Sequence, residues 1–357
     1  MSDATTELFT AAGLGPPWRV KRVWFDPEAK EIHFDLAREA KRLSCPRCAA
    51  ADQPIHDRQL RDWQHLHFFQ YRALIHAAIP RVRCSECGTR GDSEVQQVPV
   101  ALHSLWSLWA RERSGFSLLF ETMVVTLAGM SRMPVRQIGA LLGVNAARLW
   151  RSLGALVDEA YAKADMSAVD AVGIDEKHIG RGRVVTVVHD GSAATRGRVL
   201  HLSEGCKADN VAAFTAALRA HGGDPETIER CTLDMAKSFI AGVRDHLPNA
   251  QACFDPFHLV KLANEALDVV RRAEVATEPA LKRLVKTFTA HLEGIRNMLT
   301  HANSNAIAES INADIQSAIA RARGFRTFRN LRSAVYLLKG KLALPASPYR
   351  PALAQAR

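Results

Sequence analysis

Two hydrophobic periodicities divide the chain. From Val169 onward apolar residues run in short strand-like blocks, Val169 to Ile174, Val184 to His189 and Arg198 to Ser203, separated by Gly-Arg-Gly and Asp-Gly turns. The pattern then alternates. A helical period over Ala208 to His221 is followed by a strand at Arg230 to Leu233, a helix at Ser238 to His246 and a strand at Ala250 to Phe254. From His258 to about Leu342 the period is helical throughout. Upstream, Ser117 to Lys163 reads as helices, and the alternation in Val23-Trp24-Phe25 and Ile32-His33-Phe34 predicts short strands. The longest greasy stretch, Phe116 to Met130, is interrupted by Glu121 and falls short of the roughly 18 residues of a membrane span.

This order predicts a multidomain α+β protein. Three strands followed by helix, strand, helix, strand and helices is the order of a ribonuclease-H-like α/β domain with a mixed sheet. The right-handed crossover rule places the fourth strand parallel to the first. If the two are neighbours, Asp175 and Asp234, each closing an apolar strand, meet at one edge of the sheet. The divisions expected are a zinc-binding module over 1–100, a helix-turn-helix segment over 101–165, the ribonuclease-H-like domain over 166–342 and a tail over 343–357.

Composition narrows the class. With 357 residues, 47% hydrophobic and 24% charged, the chain has the makeup of a globular protein. Forty-seven Lys and Arg against 37 Asp and Glu give +10, which points to a polyanionic partner. No basic segment precedes an apolar one at the N-terminus, so a cytoplasmic protein without membrane attachment is expected. In that reducing compartment cysteines arranged in pairs favour metal over disulfides.

Four of the seven cysteines fall in two Cys-x-x-Cys pairs, Cys45 with Cys48 and Cys84 with Cys87. Four thiolates on two tight knuckles hold Zn²⁺ tetrahedrally and leave no position for water, so the zinc expected is structural. The 35 intervening residues exceed a usual ribbon spacing and contain His56, His65, His67 and His76. Cys206, Cys231 and Cys253 read as core. Residues Pro134 to Trp150 have the signals of a helix-turn-helix: Pro134 at a first helical position, Gly139 at a close approach, Gly143 in the turn and Asn145 as a cap. Asn145, Arg148 and Arg151 then become DNA-facing, although an ordinary helical hairpin carries the same signals. Asp175 and Asp234 are suited to Mg²⁺, which prefers carboxylate oxygens.

The runs Val172-Gly173-Ile174-Asp175-Glu176-Lys177, Leu233-Asp234-Met235, Phe254 to Lys261 and Ser304 to Asn312, with the tail block Arg321 to Phe328, resemble the blocks of the ISL3 family of bacterial insertion-sequence transposases. The double Cys-x-x-Cys region is similar to that family's zinc module. The resemblance implies an acidic-triad transposase with Asp175, Asp234 and Glu309 as catalytic residues holding catalytic Mg²⁺ or Mn²⁺. Asp255 and His258 then have a hydrogen-bonding support role, and Asn305 and Asn312 orient substrate or a carboxylate. One departure is plain: only 36 residues separate Arg272 from Glu309, where family members carry a longer helical insertion.

From Ile315 to the C-terminus there are nine Lys or Arg and no acid, so Arg321, Arg323 and Arg326 form a candidate phosphate track. The function expected is transposition. The N-terminal half binds terminal inverted repeats on double-stranded DNA, and the C-terminal half cleaves and joins to target DNA, as a homo-oligomer in the bacterial cytoplasm and nucleoid. A DNA-binding remnant or regulator that does not cut, or a nuclease without a transfer step, would share most of these features.

Overall fold

The computed structural model describes residues 18–38, 40–45, 47–88, 95–97, 110–111, 113–180, 182–192, 197–272, 278–301 and 306–345. They form a mixed α/β chain that divides into two units, one of residues 1–127, 141–143 and 345–357 and the other of 128–140 and 144–344.

The first unit is built on a six-stranded sheet: β1 (Arg19–Asp26), β2 (Glu31–Ala37), β3 (Arg42–Leu43), β4 (Gln53–Gln64), β5 (Arg72–Arg83) and β6 (Val95–Gln97). Its order is β1-β2-β5-β4-β3, with β6 pairing β5 and the β2–β5 pair parallel. Ile32, Phe34 and Leu36 of β2 and Ala73, Ile75, Ala77 and Ile79 of β5 alternate onto one face, where they pack with Trp18 and Trp63. The short strands expected near Trp24 and His33 are therefore longer, and β4 and β5 were not foreseen at all. β4 (QPIHDRQLRDWQ) is mostly polar, and its Leu60 is 80% exposed, so it offers no apolar alternation to read. Helix α1 (Leu118–Gly129) carries the greasy stretch, and Glu121 within it is buried against Arg111 at 2.7 Å and Ser114 at 2.8 Å.

The second unit carries most of α2 (Val135–Leu142) and all of α3 (Ala146–Ala162), and the turn between the two helices passes through Gly143 at φ +62°. A Cβ on Gly139 would stand 2.5 Å from the Val144 carbonyl oxygen, so only glycine permits this turn to pack so close. There follow β7 (Ala171–His178), β8 (Val184–Asp190), β9 (Val199–Glu204), α4 (Ala208–Ala220), β10 (Arg230–Leu233), α5 (Lys237–His246) and β11 (Gln251–Phe254). The rest is helical: α6 (Pro256–Arg272), α7 (Glu278–Ala290), α8 (Leu292–His301), α9 (Ala306–Ala322) and α10 (Phe328–Lys339).

The sheet order is β11-β10-β7-β8-β9, with β7-β8-β9 antiparallel and β10 parallel to both β7 and β11. Each side of this sheet has its own core. Val172 and Ile174 of β7 pack with Phe214, Leu218, Phe239 and Val243 of α4 and α5. Val185 and Val187 of β8 pack with Val157, Ile311, Ile315, Leu331 and Val335 of α3, α9 and α10. Because neighbouring residues of a strand face opposite sides, Gly173 and Asp175 lie on the α9 side. Only glycine fits there without displacing a neighbour: a Cβ would stand 2.1 Å from the buried His189 ring.

Candidate metal centres

Cys45 and Cys48 lie on the turn after β3, and Cys84 and Cys87 on the turn after β5. All four Sγ atoms lie within 4.8 Å of one another, the Cys45–Cys87 pair at 3.5 Å and the Cys48–Cys84 pair at 3.6 Å. A tetrahedral zinc with Zn–S near 2.3 Å separates its sulfurs by about 3.8 Å, so these two pairs need to open by only a few tenths of an ångström. Each knuckle aims amide hydrogens at sulfur: Arg47 N–H donates to Cys45 Sγ at 3.3 Å and Cys87 N–H to Cys84 Sγ at 3.4 Å. The Cys87 amide, helped by that of Glu86, lowers the Cys84 thiol to about 7, which favours the thiolate that zinc requires. Buried Gln53 buttresses the second knuckle, its Oε1 accepting from Ser85 N–H at 2.9 Å and Oγ–H at 3.1 Å. The four thiolates fit a structural zinc. Of the histidines between the pairs, His65 is buried on Ser117 at 2.7 Å and His76 is held by Asp62 at 2.6 Å. Cys231 and Cys253 are fully buried, as expected of core residues, whereas Cys206 is half-buried.

A second set of groups collects where β7 and β10 end. Asp175 Oδ1 accepts from Glu176 N–H at 2.7 Å, and its Oδ2 accepts from Asn312 Nδ2 of α9. The Oδ1 of that Asn312 is buried with no hydrogen-bond partner among the described residues. Burial raises the Asp175 carboxyl above the usual carboxylate range, the negative charge of Asp234 adds to the rise, and the Glu176 amide, Asn312 and His258 oppose it. Asp234 directly follows β10, and its Oδ1 accepts from Ala236 N–H at 2.9 Å. Buried Asp255, the residue after β11, accepts from His258 Nδ1 at 2.9 Å. That bond, with the charges of Asp255, Asp234 and Asp175, raises the imidazole above its ordinary value. Glu309 is exposed in the first turn of α9, about 4.5 Å along the helix axis from Asn312. Among the described residues the group of metal-ligating side chains already drawn together is the cysteine cluster, and Glu309 does not form such a group with Asp175 and Asp234. Asn305 lies outside the described residues.

The basic candidates separate into two sets. Asn145 caps α3, accepting from Ala147 N–H at 2.8 Å, and Arg148 and Arg151 lie exposed on that helix. Arg321, Arg323 and Arg326 are exposed at and beyond the end of α9, with Arg321 donating to Ser317 at 2.9 Å. Arg329 and Arg332 instead turn to Asp158 of α3, Arg329 at 3.1 Å. Part of the acid-free run is thus an internal clamp, which sequence counting could not separate from the rest.

Family comparison bears on both centres. The model of the ISL3-type DDE enzymes, described as "Transposase", matches residues 172–280 and 275–335, the segment that carries Asp175, Asp234, Asp255, His258, Glu309 and Asn312. A second, described as the zinc-finger of transposase IS204/IS1001/IS1096/IS1165, matches residues 41–87, from the first cysteine pair through the last. The chain belongs to the ISL3 family of transposases. Among curated relatives, the transposase for insertion sequence element IS1557 of Mycobacterium tuberculosis is 30% identical over 220 residues, 60% of this chain. This chain spans only 44% of that relative's length. The transposase for IS1001 of Bordetella parapertussis is 25% identical over 320 residues, 86% of this chain and 73% of the relative. A solved simian T-cell lymphotropic virus intasome in complex with PP2A regulatory subunit B56 gamma covers 60% of this chain and 65% of its own at 7% identity. The TM-score of that match is 0.26. Among the described residues no helix is long and apolar enough to cross a membrane.

Proposed function

We propose that this chain is a DNA transposase whose residues 166–342 form a ribonuclease-H-like catalytic domain with Asp175, Asp234 and Glu309 as its acidic triad. The observation that carries this reading is the bond from Asn312 to Asp175, which ties the helix bearing Glu309 to the strand end beside Asp234. Strand order supports it, since the meander β7-β8-β9 with β10 parallel to β7 is the arrangement the fold class requires. The donor set is oxygen-rich, and the unpartnered Oδ1 of Asn312 lies beside it, which suits a hard divalent cation. Mg²⁺ or Mn²⁺, when bound, lowers the pKa of an attacking water or hydroxyl and neutralises charge on the phosphodiester.

The chain's own residues set up that chemistry. Asp175 and Asp234 raise the local negative charge that a cation relieves, and Asn312 fixes the Asp175 carboxylate. His258, whose imidazole the Asp255 bond pushes above its ordinary value, faces the acids from the β11 side and orients that edge. Arg148 and Arg151 on α3, the second helix of the helix-turn-helix, read base edges at the element's terminal inverted repeats, while Arg321, Arg323 and Arg326 contact phosphates. The zinc module over 1–100 supports end binding, and a homo-oligomer assembles on the DNA in the cytoplasm.

The test is incubation with duplexes carrying the DNA that flanks the gene. Cleavage leaving 3′-hydroxyl ends is expected in Mg²⁺ or Mn²⁺, and is lost in Asp175→Asn with binding retained. The exposed position of Glu309 favours a second reading, a DNA-binding remnant; binding with no cleavage in either metal would establish it.

A further inference from the structure

Beyond the acidic edge, the second unit holds a half-open cavity of about 420 Å³, counted out to solvent. Four small residues leave the space: Ala128 at the end of α1, Ala318 and Ala322 on α9, and Ala334 on α10. Its aromatic walls are Trp150 of α3 and Phe325, whose rings meet edge to face at 5.9 Å. Two guanidiniums, those of exposed Arg132 and Arg321, stand among its lining residues.

The backbone at this rim is held in an uncommon conformation. Arg132 has φ +51° and Arg323 has φ +56°. Arg323 occupies the position after α9 where Gly324 N–H returns to the Ile319 carbonyl at 2.8 Å, a place that glycine ordinarily fills. Bulky side chains in the left-handed region cost conformational energy, here at Arg132 in the cavity lining and at Arg323 between the lining residues Ala322 and Phe325.

We infer that this cavity receives a single unstacked nucleobase of bound DNA, its ring against Trp150 and Phe325, while its phosphates lie along Arg132, Arg321, Arg323 and Arg326. The inference rests on the proposed DNA-binding function. Aromatic walls accept any base through its π face, and guanidiniums pair with the flanking phosphates. Charge favours this occupant over an apolar side chain of another protein. No acid occurs from Ile315 to the C-terminus, and Asp314, the acid nearest in sequence, is engaged by Arg132 and Lys339, both at 2.6 Å.

A base that starts outside the helix has no stacking to lose, so it should enter more readily than a paired one. The full chain is titrated with three short duplexes of one sequence: fully paired, with one extrahelical 2-aminopurine, and with an abasic bulge at the same place. The abasic bulge supplies equal flexibility without a ring. We expect the 2-aminopurine bulge to bind at least about tenfold tighter than both others, with its emission changing on binding. In Ala322→Leu and Ala318→Leu, which fill the cavity, the preference and the emission change should vanish while paired-duplex affinity holds. Two fillers are used so that one failing to fold leaves the other to decide. Equal affinity for the two bulges overturns the inference, as does a preference that survives both fillers. Fillers that reduce self-association while leaving the preference intact would assign the cavity to a second copy and likewise overturn it. Failure to bind any duplex would refute DNA binding itself and this site with it.

Discussion

Gly173 lies two residues before Asp175 on β7, opposite His189 in the β7–β8 register, and offers a direct test of how tightly that strand is fixed. In Gly173→Ala the new methyl would fall 2.1 Å from Cε1, 2.3 Å from Nε2 and 3.0 Å from Nδ1 of the His189 ring. Ordinary carbon contacts are about 3.5–4.0 Å, so the ring must retreat by more than about 1 Å. His189 is buried at 5% exposure, so ring and strand share the displacement. Overpacking of this kind costs about 1–3 kcal/mol. For a cooperative unit of this size, that lowers Tm by roughly 2–4 °C per kcal/mol. Urea unfolding of the intact chain, followed by circular dichroism, reads the change, and His189→Ala with the double variant completes a cycle. His189→Ala alone should also destabilise, by leaving a cavity, but the double variant should be less destabilised than the sum by at least about 1 kcal/mol, because the methyl then occupies vacated space. A Gly173→Ala protein within about 0.5 kcal/mol of wild type, or strictly additive effects, would refute the close approach.

Three further outcomes follow from the same structure. Cys45→Ser and Cys84→Ser should lose stoichiometric zinc by metal analysis and expose the first unit to protease, because a structural zinc contributes folding free energy directly; retained zinc in both would reject the cluster. Arg111→Met should destabilise by about 3–5 kcal/mol, since it strands the fully buried Glu121 carboxylate, whereas Arg111→Met with Glu121→Leu should recover most of that loss in the same unfolding assay. Burial lowers His65 to about 4, so its folded value lies below its unfolded one: its contribution is intact above about pH 6.5 and is lost as pH falls toward 4, and His65→Gln should flatten the acid limb of stability against pH.

The second unit was the more legible half because its strands are buried on both faces and read as apolar runs. The expected strand at Arg230 to Leu233 matches the observed one, and the pairing of β10 with β7 follows from the crossover rule. The four cysteines were legible from spacing alone. The first unit was not, because β4 turns polar side chains to solvent along most of its length, and β5 carries apolar residues at both parities (Leu74, Ile75, Ala77, Ala78, Ile79) with Pro80 inside the run, which blurs its alternation. Glu121 interrupted an apolar run in the sequence, yet only the fold supplies its partner Arg111 ten residues earlier. The bond between Asn312 and Asp175 spans 137 residues, a separation no local pattern encodes.

The central claim is that Asp175, Asp234 and Glu309 hold one divalent-metal centre, and iron-directed hydroxyl-radical mapping tests it most directly. Fe²⁺ replaces Mg²⁺ at oxygen sites and, with peroxide and ascorbate, cuts the polypeptide beside the ion. With DNA bound, cuts are predicted at the ends of β7 and β10 and in the first turn of α9, suppressed by excess Mg²⁺ and absent in Asp175→Asn and in Glu309→Gln. Cuts confined to the β7 and β10 ends and unchanged in Glu309→Gln, or no cuts at these positions, would contradict the account.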